Sequence, residues 1–275
     1  MEAAGLELGG EPVSALLAAA HAAADAAAGP ALGWFRRDGL GVEDKGGAAG
    51  FDPVTAADRE VERAIRSALA VARPRDAVEG EEHAASAGEG PFSWMIDPID
   101  GTRAFISGAP SWGVLIALRL RGRPVLGVID QPFTGERFIG LNAPRAAGEW
   151  RRGTERRPLR ARACAGLARA TLFTTYPELG TAAERAAFDA VRGRVRLTRY
   201  GLDCYAYALL ALGQIDLVIE AGLAPYDVQA LIPVVEAAGG VITDWRGGGC
   251  AGGGRVVAAG DARTHAEALA LLRAA

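Results

Sequence analysis

The sequence predicts an α/β fold in which β-sheets lie between layers of helices, and three observations support this prediction. A chain of 275 residues, 50% of them hydrophobic, can bury a full-sized core. Apolar residues recur at helical spacing in some segments and as short β-rich runs in others, and the two patterns alternate along the chain. The sequence has neither an internal repeat nor a linker long enough to separate independent domains.

The first helix is predicted from the alanine-rich segment PVSALLAAAHAAADAAAG, which opens at Pro12 and stops at Gly29-Pro30. Acidic residues precede this segment and no basic region does, so it lacks the form of a signal peptide. The longest apolar runs, such as WGVLIAL, are much shorter than the roughly 18 residues that span a bilayer. We therefore expect a cytoplasmic protein that has no membrane segment and no membrane partner.

The second helix and a group of strands follow. The segment TAADREVERAIRSALAVAR has apolar residues at helical spacing, namely Val61, Ile65, Leu69 and Ala72. The segments SWMID, SWGVLIALRL, PVLGVIDQP and ERFIG have the composition of strands, and the turn PFTG joins the last two in a hairpin.

The rest of the chain alternates strands with helices. The predicted strands are ATLFTT, RVRLTRY, IDLVIE, GVITDW and RVVAAG. One predicted helix starts near Thr181, and the others are CYAYALLALG, DVQALIPVVEAAGG and a closing helix after the last strand. We expect two lobes, residues 1–145 and residues 146–275, joined in one compact unit.

The composition leaves oxygen atoms as the ligands of any metal site. Three cysteines and three histidines are scattered without the spacing of a disulfide framework, a zinc site or a histidine-based triad. The formal net charge is −3, which gives no overall field to attract nucleic acid. Eight arginines fall between Arg145 and Arg169, and we interpret this segment as a solvated strand-and-loop face rather than a nucleic-acid site.

Two neighbouring aspartates mark the centre of the predicted site. In WMIDPIDGTRAF, Asp97 and Asp100 end a strand-like stretch. Side chains three positions apart in a strand point to opposite faces, so these carboxylates converge only if the strand ends between them. Pro98 and Gly101 favour such an end, because proline cannot donate to the ladder and Asp-Gly is a strong turn signal. The Ile99 carbonyl can face the same point.

Two further acids are candidates for the same cleft: Glu81 in EGEEH and Asp227 in APYDVQAL. If all four carboxylates meet, bound divalent cations relieve their mutual repulsion. Carboxylates, a carbonyl and the Thr102 hydroxyl favour Mg²⁺ or Mn²⁺ over zinc. Each acid also has a purely structural interpretation: an ordinary turn for Asp100, a partner of the helix dipole for Asp227 and a solvated loop acid for Glu81.

The residues after Asp100 are typical of a helix start. The free amide groups of Gly101-Thr102 would hold a phosphate beside the cations. Asp58 has two interpretations. It fits a capping box with Thr55, and it could instead accept a hydrogen bond from Thr102, so that this hydroxyl takes a proton from an activated water.

These motifs resemble those of a known family. GEE, WMIDPIDGT, PVTAAD and YDVQALIPVVEAAGG, in the separations found here, are similar to motifs of the inositol monophosphatase family of magnesium-dependent, lithium-sensitive phosphomonoesterases. The resemblance covers the chain from about Lys45 to Ala259. It implies a layered αβαβα sandwich, usually in a homodimer, with two or three Mg²⁺ per active site.

The resemblance also implies roles for individual residues. The family's metal-ligand positions correspond to Glu81, Asp97, the Ile99 carbonyl, Asp100, Thr102 and Asp227. Asp58 matches the acid that the family pairs with its threonine. Lys45, the only lysine of the chain, lies close to a family lysine near the metal site.

Within the family, the chain is most similar to the histidinol-phosphate phosphatases. The segments GTRAFISG, PSWGVLIAL, GLDCYAYALLALG and PYDVQALIPVVEAAGG show this similarity. Glu220 matches the position that contacts the non-phosphate part of the substrate, and Asp203 is expected to assist it. A strand-end acid and a helix N-cap are the structural alternatives for these two residues.

The sequence thus predicts a magnesium-dependent phosphatase that hydrolyses L-histidinol phosphate, in histidine biosynthesis, through direct attack of a metal-activated water. We expect Asp58, Thr102 and Glu81 to take part in catalysis. The residues expected to contact the substrate are Asp100, Gly101, Thr102, Arg103, Asp203, Glu220 and Asp227. The alternatives are an inositol-1-phosphatase or broad sugar-phosphate phosphatase, and a catalytically silent metal- or phosphate-binding protein.

Overall fold

The helices and strands follow the alternating order that the sequence predicts. The structure, a computed structural model, describes residues 5–44, 53–178 and 180–274. The helices are α1 (Val13–Trp34), α2 (Ala56–Ala72), α3 (Thr102–Ile106), α4 (Ala182–Arg192), α5 (Cys204–Ala211), α6 (Pro225–Val228), α7 (Leu231–Ala237) and α8 (Ala262–Ala274). The strands are β1 (Glu7–Leu8), β2 (Glu11–Pro12), β3 (Glu43–Asp44), β4 (Pro53–Val54), β5 (Ala77–Gly80), β6 (Phe92–Asp100), β7 (Gly113–Leu120), β8 (Arg123–Gln131), β9 (Glu136–Leu141), β10 (Ala147–Arg152), β11 (Glu155–Pro158), β12 (Thr171–Thr174), β13 (Leu197–Tyr200), β14 (Leu217–Leu223), β15 (Val241–Asp244) and β16 (Gly254–Ala259).

Two large sheets and three helical layers make up the fold, and two small two-stranded sheets, β1-β2 and β3-β4, complete the described strands. The first sheet has seven strands in the order β11-β10-β9-β8-β7-β6-β5, and the second has five in the order β13-β12-β14-β16-β15. Helices α1 and α2 cover the outer face of the first sheet, and α4 and α8 cover the outer face of the second. Helices α5 and α7 pack between the sheets. The expected αβαβα sandwich is confirmed.

Two glycines allow α7 to pack closely on the first sheet. A Cβ added at Gly127 would lie 2.0 Å from the Ala230 carbonyl oxygen, and one at Gly140 would lie 2.3 Å from the Pro233 carbonyl oxygen. Side chains at these two positions would therefore push the middle helical layer off the sheet. This close packing fixes the segment that contains Asp227 relative to strand β6.

The first helix does not stop at Gly29-Pro30 as predicted. Helix α1 continues through Pro30 to Trp34, because Ala31 and the following Phe35 are buried in the core and extend its apolar face. This burial outweighs the backbone hydrogen bond that proline removes. By length and composition alone α1 could cross a membrane, but it packs against α2 and strand β7 here.

Two other boundaries differ from the prediction. The predicted helix DVQALIPVVEAAGG is two helices, α6 and α7, because Pro233 has no N–H to donate to the Gln229 carbonyl. Ala72 was predicted on the buried face of α2, but it is exposed at the last position of the helix. The other three residues of that face, Val61, Ile65 and Leu69, are buried as predicted.

The first sheet extends past the predicted lobe division at residues 145/146. Strands β10 and β11 form a hairpin on the edge of that sheet, and every residue of β11 is exposed. The second sheet begins only with β12 at Thr171. The arginines of this hairpin lack the apolar alternation that marks the other strands, so sequence patterns do not indicate where the first sheet ends.

Candidate active site

A β-bulge brings Asp97 and Asp100 together. In the pairing of β6 with β7, Asp97 lies opposite Leu115 and Asp100 opposite Gly113, so three steps on β6 match two on β7. The expectation that the strand ends between the aspartates is therefore wrong, since β6 continues to Asp100. The bulge has the same effect as an end, because one extra residue reverses the alternation of side chains. Pro98 lies within the bulge, where the ladder needs no donor.

The third carboxylate of the cluster comes from the distant α6 helix. Oxygen atoms of Asp97, Asp100 and Asp227 lie within 4.8 Å of one another, which is close enough for one ion to contact all three. The carboxylate of Asp227 also accepts a hydrogen bond of 2.7 Å from the Ala224 N–H, which caps the first turn of α6. Asp227 therefore both caps α6 and belongs to the acidic cluster.

Glu81 lies next to this cluster in the loop after β5. Its N–H donates to the Ile96 carbonyl of β6 at 3.2 Å, and its charge raises the pKa of Asp97. The buried carboxylate of Glu62 on α2 holds this loop by accepting a hydrogen bond from the Glu82 N–H at 2.7 Å. A Cβ at Gly80 would lie 2.1 Å from Glu62 Oε1, so only glycine allows this approach.

Sequence patterns give no sign of this supporting role of Glu62. It occupies a helical position that could equally be a solvated acid, and only the fold places it against the loop. Arg66 donates to Glu62 at 2.7 Å and to the carbonyls of Val78 and His83, so the loop is tied to α2 at several points.

The electrostatics of the cluster favour a bound cation. Burial raises the pKa of Asp97 well above its usual range, and the charges of Glu81, Asp100 and Asp227 raise it further. The pKa of Asp100 is raised well above its usual range by burial and by the charges of Asp203 and Asp227. Such a group must either take up protons or bind positive charge. An all-oxygen donor set suits a hard divalent cation such as Mg²⁺.

Asp58 and Thr102 are not paired with each other in the described structure. The Thr102 hydroxyl donates to the Ile99 carbonyl at 3.1 Å. Asp58 Oδ2 accepts the Thr55 N–H at 2.8 Å and the Thr55 hydroxyl at 2.7 Å, which forms the predicted capping box of α2. Burial raises the pKa of Asp58 to about 6, and the hydrogen bonds from Thr55 oppose that rise. The Thr102 hydroxyl is thus bonded to the Ile99 carbonyl and the Asp58 carboxylate to Thr55, so neither group bonds to the other as the catalytic interpretation expects.

The start of α3 borders the cluster as predicted. Gly101 has φ 81° at the N-cap of α3, a conformation that favours glycine. A Cβ at this position would lie 2.9 Å from Cγ of Asp203, so the carboxylate of Asp203 lies against the start of α3. Burial raises the pKa of Asp203 to about 6, and the charge of Arg103 lowers it.

Asp203 heads helix α5 without capping it. Its own side chain makes no capping hydrogen bond, and its backbone has φ 48° and ψ −139°. The cap comes instead from Asp100, whose Oδ2 accepts the Cys204 N–H at 2.7 Å. The helix N-cap interpretation of the Asp203 side chain is therefore wrong, and its carboxylate is directed to the site.

Glu220 lies buried on strand β14. Its carboxylate accepts hydrogen bonds from the Thr174 hydroxyl at 3.2 Å, the Thr175 N–H at 2.8 Å and the Thr175 hydroxyl at 2.9 Å. Burial raises its pKa to about 8, and the charge of Asp203 contributes to this rise. Three donors hold the side chain in one orientation, which is more than a solvated strand-end acid requires.

Tyr176 is a neighbour of the site that no sequence pattern selects. The Arg103 guanidinium lies over its ring, 5.0 Å from the centroid. Lys45, the remaining candidate residue, lies outside the described residues.

Comparisons with known proteins agree with the fold. The model of the inositol monophosphatase family matches residues 13–275. The chain is 42% identical to the bifunctional phosphatase IMPL2, chloroplastic, of Arabidopsis thaliana over 96% of this chain and 76% of that protein. It is 37% identical to a histidinol-phosphatase of Chlorobaculum parvum over 78% of this chain and 80% of that protein. The solved structure of an inositol monophosphatase from Zymomonas mobilis superposes with a TM-score of 0.83 at 39% identity, covering 96% of this chain and 99% of that one.

Proposed function

The chain belongs to the inositol monophosphatase family of phosphomonoester hydrolases, and we propose that its substrate is L-histidinol phosphate, which it hydrolyses to L-histidinol and phosphate. One observation carries this proposal: two further carboxylates lie near the acidic cluster, Asp203, which contacts the start of α3 and raises the pKa of Asp100, and Glu220, whose pKa Asp203 also raises. Histidinol phosphate brings an ammonium and an imidazole next to its phosphate, and both groups need acceptors. The relative named histidinol-phosphatase supports the same choice.

The raised pKa values of these two acids agree with a cationic ligand. Burial raises the pKa of Asp203 to about 6 although the charge of Arg103 opposes this rise, and burial together with the charge of Asp203 raises the pKa of Glu220 to about 8. An ammonium or imidazolium group beside these carboxylates would favour their ionised forms. A neutral polyol would bring no positive charge to them.

The family is metal-dependent, typically on Mg²⁺, and the donor set found here fits such an ion. We propose that Glu81, Asp97, the Ile99 carbonyl, Asp100 and Asp227 hold two or three Mg²⁺, for which Mn²⁺ can substitute. When bound, the ions would neutralise charge on the phosphate and lower the pKa of the attacking water.

The protein groups bind the phosphate and orient the water. The N–H groups at the start of α3, from Gly101, Thr102 and Arg103, would bind the substrate phosphate beside the cluster. The Thr102 hydroxyl would turn from the Ile99 carbonyl towards Asp58. With a pKa of about 6, Asp58 is ionised at neutral pH and can accept its proton. The Thr102 hydroxyl would take a proton from the water as its own proton passes to Asp58, and the water would attack phosphorus directly, opposite the ester oxygen. The ester P–O bond breaks, histidinol leaves as an alkoxide that takes up a proton from solvent, and no side chain is phosphorylated.

A substrate panel tests this proposal. The purified chain is assayed for phosphate release from L-histidinol phosphate, inositol 1-phosphate and glycerol 2-phosphate, with Mg²⁺ and with EDTA as the control. We expect the highest kcat/KM for histidinol phosphate and no release in EDTA. A preference for inositol 1-phosphate would instead support the second candidate function, inositol-1-phosphatase, which the Zymomonas mobilis relative favours.

We also propose that the protein acts as a homodimer in the cytoplasm, as the family resemblance implies. Light scattering of the purified protein tests the first part, and a mass equal to one chain of 28.4 kDa would contradict it.

A further inference from the structure

The geometry around Tyr176 points to a role for Arg103 that goes beyond phosphate binding. We propose that the Arg103 guanidinium lies in the place that the cationic group of the substrate takes on binding, and that Tyr176 and Asp203 recognise that cation. This inference rests on the proposed function, and it names the residues that would select a cationic organic group over a neutral one.

The first observation is the stacking of Arg103 on Tyr176. The guanidinium carbon lies 5.0 Å from the ring centroid, within the range of a cation–π interaction. Arg103 directly follows Thr102, so the stack lies beside the expected phosphate position. Tyr176 follows β12 and is 40% exposed, so a ligand can reach its ring from solvent.

The second observation is that acids from two other elements face this stack. Glu220 accepts hydrogen bonds from the N–H and the hydroxyl of Thr175, the residue before Tyr176, and the Asp203 carboxylate lies against Gly101 at the start of the helix that carries Arg103. Burial raises the pKa of the Tyr176 hydroxyl, the charges of both acids raise it further, and Arg103 lowers it. An aromatic face flanked by carboxylates is a site for a cation, and Arg103 occupies it here.

The third observation is the backbone of Asp203. Its φ of 48° and ψ of −139° lie in a strained region that residues other than glycine rarely adopt. Helix α5 does not need it for capping, since Asp100 accepts the Cys204 N–H. The strained backbone instead presents the Asp203 carboxylate to Arg103 and to the start of α3.

Together these contacts describe an exchange of one cation for another. The substrate phosphate attracts Arg103 away from the ring, and the ammonium or imidazolium group of the same substrate takes the vacated place between Tyr176 and Asp203. A neutral polyol phosphate could attract Arg103 equally well, but it would leave the ring and the Asp203 carboxylate without a cation. The exchange therefore discriminates between substrates by their non-phosphate part.

Kinetics of Tyr176 variants test the proposal. We expect Tyr176→Leu to raise KM for L-histidinol phosphate about tenfold, as loss of a desolvated cation–π contact would. We expect KM for inositol 1-phosphate to stay within about twofold, and Tyr176→Phe, which keeps the aromatic face, to stay close to wild type for both substrates. Equal losses for both substrates, or no change for either, would overturn the proposal.

Phe133→Leu is the matched control. Phe133 is also an exposed aromatic residue beneath an arginine, with the Arg36 guanidinium 4.5 Å from its ring centroid, and it lies outside the proposed site. We expect this variant to match wild type for both substrates. Circular dichroism and thermal unfolding confirm that the variants fold alike.

Binding of L-histidinol separates this proposal from the proposed function. Calorimetry with histidinol, which has no phosphate to attract Arg103, should show about threefold or more tighter binding to Arg103→Ala and about tenfold weaker binding to Tyr176→Leu. If the two variants differ from wild type in histidinol binding as expected, but wild type fails to hydrolyse histidinol phosphate, only the proposed function fails. If wild type hydrolyses histidinol phosphate but histidinol binds the variants and wild type equally, only the exchange of cations fails.

Discussion

The carboxylate of Asp100 caps helix α5 by accepting the backbone N–H of Cys204 at 2.7 Å. The same carboxylate lies in the acidic cluster with Asp97 and Asp227. One side chain thus connects the cluster to the helix that carries Asp203. We therefore expect an ion bound at the cluster to affect the position of Asp203 through Asp100.

Asp100→Asn tests this double role. The asparagine oxygen can still cap α5, and the change removes one of several repelling charges, so we expect the metal-free protein to unfold about 2–4 °C higher than wild type. We expect Mg²⁺ to stabilise the variant much less than wild type and the phosphatase activity to be lost. Thermal unfolding in EDTA and in Mg²⁺ measures both effects. A lower unfolding temperature in EDTA would show that the charge of Asp100 stabilises the fold.

The pH dependence of stability should depend on the metal. Carboxyl groups whose pKa is raised in the folded protein stabilise it while they are protonated, and they lose this contribution as the pH rises through the raised value. Asp203 and Glu220, with pKa values of about 6 and about 8, place this loss between about pH 4 and pH 8, and Asp97 and Asp100 act in the same direction. We expect the unfolding temperature in EDTA to fall across this range and the fall to be much smaller in Mg²⁺. A rise in EDTA would contradict the electrostatics described for the cluster.

Asp58 and Thr55 separate capping from catalysis. Thr55→Ala removes the hydroxyl of the capping box, and we expect a loss of about 1 kcal/mol in the free energy of unfolding with activity kept. Asp58→Asn can still accept the Thr55 N–H, and we expect little loss of stability but an activity at least about 100-fold lower. Urea unfolding and phosphate release measure the two quantities. If the activity of both variants falls in proportion to their stability, Asp58 has only a structural role.

Glu62 should affect metal affinity without touching the metal. Its buried carboxylate accepts the Glu82 N–H, so Glu62→Gln is expected to loosen the loop that carries Glu81 and to weaken Mg²⁺ binding about 10- to 100-fold. Glu60→Gln on the same helix is the matched control, since Glu60 accepts a hydrogen bond from Trp34 instead. Calorimetric titration with Mg²⁺ compares the two variants. Equal affinities would show that Glu62 supports only the fold.

Sequence patterns predicted the layers, most strands and the acids that meet at the cluster. Asp97 and Asp227 could be selected because carboxylates beside proline, glycine and a helix start are local signals. The bulge between Asp97 and Asp100 could not be predicted, because it depends on how β6 pairs with β7. The same holds for α1, whose continuation through Pro30 depends on core contacts that form only in the folded chain.

Contacts between distant segments explain the other differences. Glu62 lies against Gly80, and Arg103 lies over Tyr176, across separations in the chain that no periodic pattern records. Asp58 shows the opposite case, since its local capping box is correctly predicted from four residues. This local capping box is therefore readable from sequence, whereas the neighbours of Asp203 depend on the tertiary fold.

The central claim is that Asp97, Asp100 and Asp227 bind divalent cations on which phosphate release depends. A crystal structure of the chain with Mn²⁺, recorded at a wavelength that reveals manganese by its anomalous signal, tests it most directly. We predict anomalous peaks about 2 Å from oxygen atoms of these three aspartates, with activity that returns when EDTA-treated protein receives the same ion. Full phosphate release by a protein whose cluster contains no manganese peak would contradict the claim.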